Sequence, residues 1–93
     1  MPHLVTALRD ENEWVRLRAI EALGMNKNAD AVPTLAAMLE HGSPMIVLKV
    51  IEALGRIGGN VAFSVLLGMT DNEDQEIQQA AAEAVSAIQA EQE

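Results

Sequence analysis

The sequence predicts an all-α fold: a short right-handed α-solenoid of three two-helix repeats, about six helices in all. Three observations lead there. The string IEALG occurs at Ile20–Gly24 and again at Ile51–Gly55, with a weaker echo, AEAVS, at Ala82–Ser86. The glutamates of these copies, Glu21, Glu52 and Glu83, stand 31 residues apart, and a period of that length through three units marks stacked supersecondary units. The apolar fraction is 49% but aromatics are only 2%, Trp14 and Phe63, so a core must be built from Leu, Ile, Val, Ala and Met. That composition suits closely packed helices better than a β-sandwich, whose strands draw on aromatic and β-branched residues.

The offset holds elsewhere without insertion. Leu4, Leu35 and Leu66 align, as do Ala7, Met38 and Met69, then Val15, Ile46 and Ile77, then Ala22, Ala53 and Ala84. Pro2 aligns with Pro33, and Gly24 with Gly55. The units run about 1–32, 33–63 and 64–93 and make one domain, alone or within a longer array.

Each unit reads as two helices. The first helices cover roughly Pro2 to Leu8, Ala31 to Glu40 and Val61 to Thr70, where Val32, Leu35, Met38 and Leu39 follow helical spacing. The second cover roughly Glu13 to Met25, Pro44 to Arg56 and Asp74 to Gln89, with Val15, Ala19, Ala22 and Leu23 on one stripe. The strings DEN, HGSP and TDNED separate the helices, and Asn, Ser and Asp there can accept bonds from free N–H groups at helix starts. Pro44 suits a first helical position. Gly24, Gly55 and Gly58–Gly59 are expected to end the second helices in left-handed conformations, and Asn60 to cap the helix that follows. Alanines 19, 22 and 53 permit close helix approach, and Leu23 and Leu54 fill the space between units.

The net charge is −8, which opposes binding to phosphates or anionic membranes, so neither nucleic acid nor membrane is expected as a partner. Beyond Arg56 there is no Lys or Arg, whereas seven acidic residues follow, an end that suits a basic partner or simply a solvated face. The absence of cysteine excludes disulfides and thiolate chemistry and suits a cytoplasmic location. No apolar run is long enough to span a membrane, and MPHLVTALRD lacks the form of a signal peptide.

DENEWVRLRAIEALG, Asp10 to Gly24, resembles the signature of HEAT-like repeats of the phycobilin-lyase type: an acidic loop, Val-Arg, spaced alanine-type positions, then Ala-Leu-Gly. PMIVLKVIEALGRIGG, Pro44 to Gly59, is similar at Ile46, Ala53, Leu54, Gly55, Ile57 and Gly58. The resemblance implies that Arg16 bonds an acidic loop residue, here Asp10. Val47 and Gln78 stand at that position in the later units, so the arginine ladder is broken. Unit one also has MNKN where unit two ends in Ile-Gly.

Signals for chemistry are weak. Some HEAT-like enzymes hold iron with His-Glu pairs, but the two histidines here, His3 and His41, are followed by Leu4 and Gly42, so no metal site or other cofactor is expected. DNED at Asp71–Asp74 lacks the spacing of a calcium loop and suits a helix start. GRIGG at Gly55–Gly59 follows a helix and has no P-loop lysine. Ser43, Ser64 and Ser86 have no histidine base at a plausible spacing.

The informative face lies on the second helices, where positions 14, 18, 21 and 25 share one side. The resemblance implies that this side is the concave, partner-binding surface. Unit one offers Trp14, Leu17, Arg18, Glu21 and Met25; unit two offers Met45, Leu48, Lys49, Glu52 and Arg56; unit three offers Glu76, Gln79, Ala80, Glu83 and Ala87. Apolar residues ringed by both charges form a protein-binding pattern. Leu17 and Leu48 read equally as core. The expected function is a protein-interaction scaffold with no enzymatic activity. The alternative is a subunit of an enzyme complex such as a chromophore lyase. Leu4, Val5 and Leu8 of the first helix offer a surface for self-association.

Overall fold

The second helix of the middle unit organises the molecule. The computed structural model describes Leu8 and residues 11–92, and within them the chain forms five α-helices. These are α1 (Glu13–Met25), α2 (Val32–His41), α3 (Pro44–Ile57), α4 (Gly59–Met69) and α5 (Gln75–Gln92), with a short 3-10 turn at Ala29–Ala31 before α2. Helix α3 packs on α1 along one side and on α5 along the other. Helices α2 and α4 touch each other and cover α3 from a second layer, with α4 also on α5. The resulting slab measures 38 × 28 × 16 Å, its least dimension being that of two helix layers. Among the described residues no strand is present. The expected first helix at Pro2 to Leu8 lies outside the described residues except for Leu8, which is buried in a turn.

Helix starts follow local chemistry. The Asn12 side chain accepts from the Trp14 N–H at 2.9 Å, and Ser43 Oγ from the Ile46 N–H at 3.4 Å, with Pro44 at the first position of α3. Ahead of α5, Asn72 accepts from Asp74 N–H and Asp74 from Glu76 N–H, both at 2.9 Å. Asn60 does not cap α4 as expected: that helix already begins at Gly59, with Gly58 before it and no side-chain cap.

Helix ends depart from expectation in an instructive way. Gly24 and Gly55 do not terminate α1 and α3; both lie inside their helices. The left-handed residue after α1 is Lys27, at φ 52°. There the Asn28 N–H donates to Leu23 O and the Lys27 N–H to Gly24 O, the paired bonds of a Schellman ending. After α3 the left-handed residues are Gly58 and Gly59, at φ 72° and 88°. Gly58, with ψ −159°, occupies a region open essentially to glycine alone, and this lets α4 follow α3 with a single residue between them.

Gly24 and Gly55 serve packing instead. A Cβ on Gly24 would lie 2.9 Å from Ala53 Cα, and one on Gly55 would lie 3.0 Å from Ala84 Cβ. The glycine of one IEALG copy thus docks on the alanine of the next, bringing α1, α3 and α5 together at backbone distance. Around these contacts lies an aliphatic core with no aromatic residue. Ile20, Leu23, Leu35, Val50, Ile51, Leu54, Leu66 and Ile88 are almost wholly enclosed. Phe63 is half-buried and Trp14 is exposed. Among the described residues no polar or charged residue is buried. The core therefore rests on apolar burial and close packing.

Two outcomes test this packing. Leu54→Ala, at the centre of α3, should cost about 2–5 kcal/mol, a large share of the ~5–15 kcal/mol that stabilises an ordinary domain; an unchanged denaturant midpoint would refute the assignment. Gly24→Ala should lower stability by about 1–2 kcal/mol, because overpacking against the Ala53 backbone exceeds the ~1 kcal/mol helix-propensity gain. Gly68 lies inside α4, and a Cβ there would meet nothing within 4 Å. Gly68→Ala should therefore act in the opposite sense, with up to about 1 kcal/mol of stabilisation. The comparison is read from paired thermal melts.

Candidate protein-binding face

Residues four and three apart on α1, α3 and α5 come to one exposed side. On α1 this side carries Trp14, Arg18, Glu21 and Met25, all exposed, with Trp14 and Met25 each at 72%. On α3 it carries Met45, Lys49, Glu52 and Arg56, of which Met45 is 56% exposed and Lys49 partly covered. On α5 it carries Glu76, Gln79 and Glu83, exposed, with Ala80 half-buried and Ala87 exposed. The side-by-side placement is direct: Glu21, Gly24 and Met25 line a groove of about 250 Å³ together with Lys49, Glu52, Ala53 and Arg56.

Leu17 is a correction. It is buried at 6% exposure and cannot contact a partner. The reason is helical geometry: it lies seven residues before Gly24, on the same edge, and that edge docks on α3. Leu48 stands in the same relation to Gly55 but is only half-buried, packed against the core and lining a second furrow between α3 and α5.

The charges of the face are paired, once across helices and twice within α3. Lys49 Nζ lies 3.2 Å from Glu21 Oε1 on α1 and 4.0 Å from Glu52 Oε2 on its own helix. Arg56 bonds Glu52 at 3.2 Å, one turn away. These side chains are 37–54% exposed, so each pair contributes roughly 0.2–1 kcal/mol and acts chiefly to orient the carboxylates. Lys49 is therefore not a free cation flanking the apolar residues; it is engaged between two units. Among the described residues no ion pair includes Arg18 or Glu83.

Three features were not anticipated from the sequence. Glu91 lies on the same edge of α5, four residues after Ala87, and lines the second furrow. Helix α5 runs three residues past the expected end at Gln89, which is what places Glu91 there. Extending the i, i+4 progression from Ala87 would have found it. Lys27, after α1, reaches Glu91 at 4.0 Å, so the ends of the outer two second helices approach each other. Ser43 Oγ, besides accepting at the start of α3, donates to Glu13 Oε1 at 3.0 Å and ties the interhelix loop to the first turn of α1.

Other sequence expectations fall elsewhere. Asp10, the implied partner of Arg16, lies outside the described residues, as do His3 and the side chain of His41. Arg16 itself is half-buried, and its Nε makes no hydrogen bond among the described residues. The self-association surface at Leu4 and Val5 also lies outside them. Among the described residues no group of His, Asp and Glu is placed to hold a metal ion, and no helix is long and apolar enough to cross a membrane.

Comparison with known families agrees with the all-helical architecture. The family described as HEAT repeats matches residues 1–86, nearly the whole chain. A search of curated proteins found no match. With an all-helical arrangement of the described residues and a family match over nearly the whole chain, the chain belongs to the HEAT repeat family.

Proposed function

We propose that this chain is a protein-interaction scaffold, a three-repeat right-handed α-solenoid that binds a protein partner through the concave side of α1, α3 and α5 and has no chemistry of its own. HEAT repeats generally mediate protein–protein interaction, which makes a protein the expected partner class. The observation that carries the reading is the exposure of Trp14, Met25 and Met45 on one face, beside the ordered Lys49–Glu21 and Arg56–Glu52 pairs. Large apolar side chains cost little to desolvate, and a rim of fixed charges sets register and excludes wrong partners. Exposed Trp and Arg are the residue types that most often dominate interface energetics, which points to Trp14 and Arg18 as anchors.

The double variant Trp14→Ala/Arg18→Glu tests the reading. Both positions are exposed, so its thermal melt should stay within about 1 kcal/mol of the wild type. Its partner, recovered by affinity capture with the wild type, should bind at least about thirtyfold more weakly, as loss of a central anchor worth ~2 kcal/mol or more implies. Unchanged capture by a folded variant would show that this face is not the binding surface.

A further inference from the structure

The two furrows on this face are repeat equivalents, yet their chemistry differs. Between α1 and α3, Lys49 bridges Glu21 of one unit and Glu52 of the next. One period later the glutamate is kept, as Glu83, but alanines stand in place of both cations: Ala80 for Lys49 and Ala87 for Arg56. The gap between Glu52 and Glu83 over Ala80 therefore lacks the ammonium that the first furrow holds. Glu83 makes no ion pair among the described residues, and the furrow is roomier, about 520 Å³ against 250 Å³. Its floor is apolar, from Leu48, Ile51, Ala80 and Ala84. Its rim has Glu52, Glu83 and Glu91. Arg56 and Lys49 engage Glu52 and Lys27 approaches Glu91, so Glu83 is the rim carboxylate with no ion pair among the described residues.

We propose that the α3–α5 furrow binds a lysine- or arginine-bearing aliphatic segment of a protein partner, with the partner's cation over Ala80 between Glu52 and Glu83. The proposal rests on the reading of this face as a protein-binding surface and names the chemistry it selects. The cation takes the place that Lys49 holds one repeat earlier, where an ammonium sits 3.2 Å and 4.0 Å from two carboxylates. The stem of a lysine or arginine, and an aliphatic neighbour, cover the alanine floor and Leu48. Excess negative charge at the rim steers a basic segment and repels an acidic one.

Filling the site from within the chain gives a sharp test. The probe is a short fluorescein-labelled peptide of leucine and lysine in amphipathic order, with the same peptide carrying glutamate for lysine as comparison, followed by fluorescence anisotropy. The wild type should bind the lysine peptide and not the glutamate peptide. Ala80→Lys, which restores the cation of the first furrow, and Glu83→Gln should each weaken binding by about tenfold. Gln89→Lys makes the same charge change as Ala80→Lys but lies nine residues further along α5 on the opposite side of the helix, outside the furrow, and should alter affinity by less than about twofold. Melts of the three variants confirm that each is folded. No binding by the wild type, or equal loss in all three variants from bulk charge alone, would overturn the proposal. So would sedimentation of the unliganded wild type as a dimer that Ala80→Lys dissolves, which would assign the furrow to a second copy of this chain. Such failures leave the scaffold reading intact, because Trp14 and Arg18 lie on α1 outside this furrow.

Discussion

The contact on which the rest of the structure depends is glycine against alanine across adjacent repeats. Gly24 meets Ala53 so closely that an added carbon would clash, and Gly55 meets Ala84 so closely that an added carbon would force the neighbour to shift. Helices that approach this closely must run side by side with their backbones nearly touching, so α3 is held between α1 and α5. Larger residues at these points would push the second helices apart and open the aliphatic core that Ile20, Ile51 and Leu54 fill. The stacking of repeats is thus set by the smallest side chains, while the larger ones seal what that spacing leaves.

The same spacing creates the exposed face of α1, α3 and α5. Because α1 and α3 are close, a lysine on one reaches a glutamate on the other, and the carboxylates of the row are held in place. Where the sequence substitutes alanine for the lysine, the backbones stay together and a furrow with an apolar floor and an acidic rim remains. The face is therefore a graded surface: apolar and charge-matched toward Trp14 and Met45, acidic toward Glu83, which has no ion pair among the described residues. The gradient follows from which residue stands at one position of each 31-residue period.

Helix existence was legible because periodicity and caps are local. The range expected for α1 matches the observed Glu13–Met25, and Asn12, Ser43 and Asp74 bond where short polar side chains before an apolar run should. The roles of Gly24 and Gly55 were not legible. A glycine near a helix end reads as a terminator, and only the position of the neighbouring helix shows it to be a docking point. Leu17 was ambiguous for a related reason: on a helix packed on two sides, the boundary between buried and exposed edges depends on where each neighbour lies. Lys27 as the left-handed residue was also hidden, since a lysine carries no sign of a positive φ that glycine would announce.

By itself the sequence determined the existence of the described helices, the aliphatic character of the core and the acidic balance of the chain beyond Arg56. These follow from residue type and spacing along one chain. The tertiary structure alone decided which small residues touch, which leucine is covered, which lysine is already engaged and which glutamate is not. Those outcomes depend on distances between residues some 30 positions apart, and such distances are set by the packing of whole helices against one another, not by any property that a single helix carries.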